Sequence, residues 1–303
     1  LDNPDQIINT KRPEPTPPLA ARPQKLSVTS IETWLTDPYQ IYARHVLDLK
    51  SLDPLEKPLD PAGRGSLIHD ILERFIKAHP LTLPPDAHDT LLALARECIT
   101  LESLDESALH FWWPRFEAMM EWFLAEEHSW RARGASPYLQ EAKGHWAFTT
   151  QSGANFALTA RADRIDRMKG GSDFAIIDYK TGGDYSPGQI ESGKRPQLPL
   201  EALMLGEGAF EGAATAASAA FLAFWVLKGA KPPGFKAELS EQVDSLAKQA
   251  RTLLEGLVDR YADPATPYPA VPDPARPPAF NDYAHLARLK EWSAESGAEG
   301  EED

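Results

Sequence analysis

The chain has 303 residues, 42% hydrophobic and 25% charged. That composition suits one large globular domain or two small ones, and excludes wholesale disorder, collagen and coiled-coil rods. The net charge of −14, from 31 basic against 45 acidic residues, speaks against a protein that coats nucleic acid, although a locally basic groove stays compatible with it.

The opening LDNPDQIINTKRPEP has no basic segment followed by an apolar stretch, so it does not read as a secretory signal. It lacks an initiator Met, which suggests a fragment or a processed chain with another domain ahead of it. Residues 1–25 hold six prolines and read as an extended linker. Thr29 or Ser30 offers a helix cap, and Asp37-Pro38 marks the next break. Residues 65–79 place Ile68, Ile71, Leu72, Phe75 and Ile76 on one helical stripe. Helical periodicity continues over 87–130, where the adjacent Trp112 and Trp113 fall on different faces. The one cysteine, Cys98, lies in this apolar stretch and reads as a buried thiol. Alone, it excludes an internal disulfide and any four-cysteine zinc or iron–sulfur cluster, and it suits a reducing, cytoplasmic setting. Residues 142–180 turn strand-like, 196–210 and 239–260 look helical, and FLAFWVL (221–227) reads as a buried strand. Seven prolines over 263–278 predict a surface strap, and 291–303, with six acids and no base, predict a disordered tail. No run of 18 apolar residues exists, so no membrane span is expected. The element order predicts an α/β fold with a mixed central β-sheet flanked by helices, behind an N-terminal helical part.

The chemistry concentrates at 157–180. Two strand-like runs, ALTARADRIDR and FAIIDYK, flank Gly170-Gly171, a favoured two-residue hairpin turn. That register sets Asp163 opposite Asp178, with Cβ atoms about 4.5–5.5 Å apart. Facing carboxylates destabilise a sheet unless something lies between them, and a divalent cation is the obvious candidate. Lys180 shares the face of Asp178, where it could orient a water or, with a lowered pKa, take its proton. The plain alternative is an exposed strand decorated with charges.

ARADRID followed by IIDYKTG resembles the RecB-type nucleases of the PD-(D/E)XK superfamily. Gly65-Ser-Leu-Ile-His69 upstream and Gln197-Leu-Pro-Leu-Glu201 downstream match that family's two further motifs in order. SVTSIETWLTDPYQIYARHVL and YAHLARLKEW extend the resemblance, which is greatest toward the C-terminal nuclease domain of AddB-type subunits of AddAB helicase–nucleases. The resemblance implies a restriction-endonuclease-like core over 26–290 and a Mg²⁺- or Mn²⁺-dependent deoxyribonuclease. It implies a metal held by His69, Asp163, Asp178 and the main-chain carbonyl of Tyr179. Lys180 would position or activate the attacking water, and Gln197 would support the site or touch DNA. Thr181 and Gly182 would shape the turn beyond. Implied partners are single-stranded DNA ends and a helicase subunit, in double-strand break repair. A nuclease-shaped module that no longer cuts, or a free-standing exonuclease, are the alternatives. Two features depart from the family: the four cluster cysteines of some relatives are missing, and Glu201 stands where a tyrosine is usual. Gly188-Gln-Ile-Glu-Ser-Gly193-Lys194-Arg195 imitates a phosphate loop, but Arg195 replaces the Ser or Thr that would hold Mg²⁺, so no ATP site is expected. Lys194 and Arg195 read as a mobile loop or as contacts to DNA phosphates. Glu141 reads as a further acidic site residue or, more plainly, as a solvated strand start.

Overall fold

The computed structural model describes residues 10–50, 61–101, 106–214, 217–273, 278 and 280–295. Among these, six strands form one mixed sheet: β1 (Lys25–Ser27), β2 (Ser136–Thr149), β3 (Asn155–Arg167), β4 (Asp173–Lys180), β5 (Ser218–Leu227) and β6 (Gly234–Leu239). Their order is β1-β3-β4-β5-β6, with β2 also on β3. The helices are α1 (Val28–Thr36), α2 (Pro38–Ile41), α3 (Pro61–Ala78), α4 (Ala87–Leu101), α5 (Glu106–Ala132), α6 (Pro187–Glu191), α7 (Gln197–Gly206), α8 (Val243–Ala262) and α9 (Leu289–Glu295). This is the α/β architecture expected, a mixed sheet flanked by helices. The chain divides into two units, one of residues 53–146 and 158–253, the other of 1–52, 147–157 and 254–303.

In the 53–253 unit, β3 and β4 pair antiparallel, with Arg164 opposite Ile177 and Asp166 opposite Ala175. This is the register read from the glycine pair, although the connection is longer than a two-residue turn. The Met168 N–H donates to the Asp173 carbonyl at 2.8 Å, which leaves Lys169–Ser172 as a four-residue loop. The loop is centred on the same pair, so the register is unchanged. Gly170 and Gly171, at φ 108° and 81°, occupy backbone that side chains disfavour. Strands β4 and β5 run parallel, which requires a crossover, and α6 and α7 supply it. Strand β6 returns antiparallel on β5, in a stretch where the sequence pattern predicts no strand.

Alternation along β4 sorts its side chains between two layers. Ala175, Ile177 and Tyr179 join Ala223 and Trp225 of β5 and the stripe Ile68, Ile71, Leu72 and Phe75 of α3 in one apolar cluster. Cys98 is buried in it, as expected. Trp112 and Trp113 each meet the Phe116 ring in a tilted arrangement, at 4.9 and 5.4 Å, with Trp112 buried and Trp113 only partly so. The opposite face of β4 and β5 receives α7.

In the other unit, α1 is capped by Ser27 and not by Thr29 or Ser30. The Ser27 Oγ accepts the Ser30 N–H at 3.2 Å, the third helical position that a capping oxygen reaches. The two proline-rich segments pair with each other: Tyr268 N–H donates to Pro15 O at 2.8 Å and Ala270 N–H to Pro13 O at 3.0 Å. Tyr268, Ala270 and Val271 are fully buried, so this part of the strap is core and not surface. The buried Asp37 carboxylate accepts from the Val271 N–H (3.1 Å) and from Asn281 Nδ2 (2.8 Å). The acidic tail begins as helix α9, because Trp292 is buried against Tyr39 and Ala287; residues 296–303 lie outside the described residues.

Behind the hairpin, Arg164 is 1% exposed. Its guanidinium forks onto Glu127 of α5 (2.6 and 3.1 Å) and Asp166 (2.7 and 2.6 Å), and touches the Tyr179 hydroxyl at 3.2 Å. Burial alone would raise the Glu127 carboxyl, but Arg164 and Arg131 outweigh it and hold Glu127 below its ordinary value. Glu127 therefore contributes stability above its unfolded pKa, and that contribution is lost as pH falls through the lower, folded value. Arg164→Ala takes the shared guanidinium from two buried carboxylates, leaving Glu127 with Arg131 and Asp166 with Trp130, and is expected to cost about 3–5 kcal/mol in denaturant unfolding.

Candidate active site

Asp178 and Lys180 close the C-terminal end of β4, two residues apart and hence on one face. Lys180 Nζ lies 2.6 Å from Asp178 Oδ2 and donates to Gln197 Oε1 at 3.1 Å. Gln197 Nε2 in turn donates to Asp178 Oδ1 and, at 3.1 Å, to Glu201 Oε1. Gln197 opens α7, so the crossover that makes β4 and β5 parallel also delivers this amide to the strand end. Asp178 and Glu201 are 3% and 1% exposed.

Asp163 lies one position past the last residue pair of the β3–β4 ladder. Its Oδ2 accepts the Tyr179 N–H at 2.7 Å, so a carboxylate does the ladder's work there. Its Oδ1 is 3.4 Å from Nδ1 of His69, on α3. One turn before His69, a Cβ on Gly65 would stand 3.2 Å from Thr181 Oγ1; glycine lets α3 close onto the end of β4. Glu141 of β2 completes a group of three. One ligand atom each from His69, Glu141 and Asp163 lie within 4.8 Å of one another. Glu141 has φ 51°, left-handed backbone inside a strand, and its carboxylate pairs with Arg161.

The structure thus gathers His69 and Asp163 with Glu141, whose plain reading was a solvated strand start. Nothing in the local sequence signals that φ value. Asp178 is not in this trio; its oxygens face Gln197 and Lys180. Tyr179 gives its N–H to Asp163 and sends its ring to the opposite layer. The segment imitating a phosphate loop is not simply a loop. It contains α6, with a capping box between Ser186 and Gln189, and Arg195 lies over the Tyr185 ring at 4.7 Å.

The electrostatics follow from crowding. Burial works against a charged His69, but Asp163, Asp178 and Glu141 outweigh it and raise the imidazole above its ordinary value. Burial and then Asp163 raise Glu141. Burial is the main force raising Asp178, with Lys180 opposing it. Burial would lower Lys180, yet the Asp178 carboxylate holds it well above its ordinary value. This pairing favours the ammonium form of Lys180, which suits orienting a water and countering negative charge. An imidazole nitrogen beside two carboxylates fits a hard divalent cation, and the like charges around His69 are what a cation would neutralise.

The family model of the PD-(D/E)XK nuclease superfamily matches residues 25–275. Members of that superfamily are usually nucleases that use Mg²⁺ or Mn²⁺. The chain is 30% identical over 188 residues to an uncharacterized protein of Rickettsia bellii, covering 62% of this chain and 22% of that protein. It is 31% identical over 193 residues to an uncharacterized protein of Rickettsia conorii, covering 62% and 23%. The chain thus spans less than a quarter of the length of the relatives it matches. A solved structure titled "Crystal structure of SSO0001" aligns over 76% of this chain and 75% of its own, at 11% identity and a TM-score of 0.32. No helix among the described residues is long and apolar enough to cross a membrane.

Calorimetric titration with Mn²⁺ should give one site, weakened about tenfold or more by His69→Ala, Glu141→Ala or Asp163→Ala. A proton on His69 competes with the ion, so affinity should fall as pH drops through the raised imidazole value. A Glu141→Ala protein that bound Mn²⁺ like the parent would remove Glu141 from the site.

Proposed function

The chain belongs to the PD-(D/E)XK nuclease superfamily, and from that premise we propose that it is a metal-dependent deoxyribonuclease. The observation that carries the reading is the convergence of His69, Glu141 and Asp163 with the Asp178–Lys180 pair at the end of β4. His69 and Asp163 would hold the ion, with Glu141 beside them; Asp178 and the Tyr179 carbonyl are assigned to it by the family resemblance. When bound, such an ion supplies Lewis acidity toward a phosphate and acidifies a water. The Lys180 ammonium orients the attacking water and counters the charge that grows on the phosphate oxygens as the P–O bond breaks. Gln197 keeps that ammonium aimed. Asp163, by accepting the Tyr179 N–H, fixes the end of β4 against β3.

The substrate we infer is single-stranded DNA fed to the site by a helicase, as in an AddAB-type complex acting at double-strand breaks in the cytoplasm. The greater length of the relatives supports a nuclease module carried within a longer protein. The resemblance from SVTSIETWL to YAHLARLKEW supports the AddB-type assignment. Lys194 and Arg195, on the segment leading into α7, are the proposed contacts to DNA phosphates.

End-labelled single-stranded DNA should be degraded with Mg²⁺ and left intact with EDTA. Asp178→Ala and Lys180→Ala should each slow cutting by about 10²–10³-fold with unchanged folding. Full activity of folded Lys180→Ala would sink the mechanism. If even the parent chain cuts only with a helicase partner added, the delivery model gains. If it cuts under neither condition, the chain is a nuclease-shaped scaffold.

A further inference from the structure

The geometry points to Glu201 as a positioning residue that fixes the amide orientation of Gln197, and through it the aim of Lys180. The inference rests on the nuclease reading for its consequence in catalysis, but its structural half stands apart from it.

An amide side chain fills nearly the same volume when turned by 180°, so its partners decide which end points where. Here the three partners agree. Lys180 can only donate, and it meets the carbonyl oxygen of Gln197 at 3.1 Å. Asp178 Oδ1 takes one amide hydrogen. Glu201 Oε1 takes the other at 3.1 Å. Turning the amide would set its NH₂ against the ammonium and its oxygen against two oxygens. Without Glu201 the second amide hydrogen loses its acceptor, and one of the three contacts opposing the turned state is gone.

Glu201 is also out of place in its helix. Every residue from Gln197 to Leu205 is buried, and Glu201 is the one charged type in QLPLEALMLG. A leucine would suit such a helix, since a buried polar group is costly unless hydrogen-bonded. Glu201 meets that requirement with only one oxygen; Oε2 has no hydrogen-bond partner. A buried acid with a single use, one helical turn from Gln197 and bonded to its amide, is accounted for by that use. Burial and the neighbouring Asp178 favour its uncharged form, in which Oε1 still accepts. A glutamine at 201 presents the same acceptor without a charge.

The test compares Glu201→Leu and Glu201→Gln for the cutting of single-stranded DNA with Mg²⁺, and for the Gln197 side-chain NH₂ signal in ¹⁵N NMR. That signal is identified by its loss in Gln197→Ala. Glu201→Leu should lower kcat by about 10–100-fold and release the amide to exchange with solvent. Glu201→Gln should restore most of the rate and keep the amide protected. In a Gln197→Ala background, Glu201→Leu should cost nothing further, whereas a merely structural role would cost the same factor again. The idea fails if Glu201→Leu keeps the parental rate and a protected amide, if the two losses multiply, or if folded Glu201→Gln is as slow as Glu201→Leu. Should Glu201→Leu not fold, Glu201→Gln decides: retained protection supports the role and lost protection overturns it. Should the parent chain not cut even with a helicase partner added, the nuclease reading has failed, and the NMR arm alone still tests the positioning.

Discussion

A guanidinium in the interior of a protein has to be answered by acceptors, here by acids, and the placement of Arg164 organises the hairpin around that demand. Arg164 cannot lose its charge, and at 1% exposure it has no water to turn to. Glu127 and Asp166 answer it from α5 and from β3 itself, and Trp130 Nε1 donates at 2.8 Å to Asp166 Oδ2, which also accepts from Arg164. The Tyr179 hydroxyl meets the same guanidinium. Helix α5 and strands β3 and β4 are thereby tied at one point in the layer away from the site. Alternation does the rest: with Arg164 turned toward α5, Asp163 must face the other way, and with Tyr179 turned in, Asp178 and Lys180 must face out. A buried ion cluster of this kind adds little net stability compared with apolar residues. What it contributes is register, because a slip of one residue would exchange the Arg164 layer for the Asp163 layer.

On the site face the balance is different. Glu141, Asp163, Asp178 and Glu201 converge, against His69, Lys180 and Arg161, which pairs with Glu141. Lys180 neutralises Asp178 directly, and Gln197 spreads that pair over an amide. Burial pushes Glu201 toward the uncharged form. Around His69 the imidazole is drawn toward its charged form by Asp163, Asp178 and Glu141, the last of which also pairs with Arg161.

Much of this was legible in the linear sequence, and the reasons separate cleanly. The hairpin register could be read because it depends on the symmetry of a short loop, and a four-residue loop centred on Gly170-Gly171 is as symmetric as a two-residue one. The Asp178–Lys180 face follows from period two alone. Gly65 and His69 were legible through the family motif; the physical content of that glycine, the 3.2 Å approach to Thr181, needed coordinates. Glu141 was legible only as the less favoured of two readings, because its place depends on one backbone angle and on the packing of β2 against α3 and β3. Glu201 was visible as a departure from the family pattern, but its burial and its partner were not. Strand β6 was missed because GFKAEL is a short edge strand with weak alternation. The strap read as surface because proline marks extended chain and says nothing about what lies over it. The buried aromatic contacts of Tyr268 with Tyr261, at 4.5 Å, come from elsewhere in the chain.

The proline-rich segments show how composition can set the choice of partner. Proline keeps its carbonyl and loses its N–H, so a chain rich in it has more acceptors than donors. Two such chains can pair only at their non-proline positions, as Tyr268 and Ala270 do with Pro15 and Pro13. The excess carbonyls need a donor that requires no acceptor in return. Arg22 is that donor. All five of its hydrogen bonds end on main-chain oxygens, at Pro17, Tyr261, Asp263, Pro264 and Thr266, between 2.8 and 3.1 Å. No carboxylate oxygen is among them; the charge is met by aligned carbonyl dipoles and by the Tyr268 ring at 5.5 Å. Asp37 is the complement at the other end of the strap, an acceptor supplied where Val271 and Asn281 offer donors. A lysine could not replace Arg22, because a single ammonium has three donors and no planar fork with which to reach five oxygens. One arginine and one aspartate thus hold together segments far apart in sequence, in a chain whose single cysteine leaves it no disulfide or cysteine-bound metal to do so.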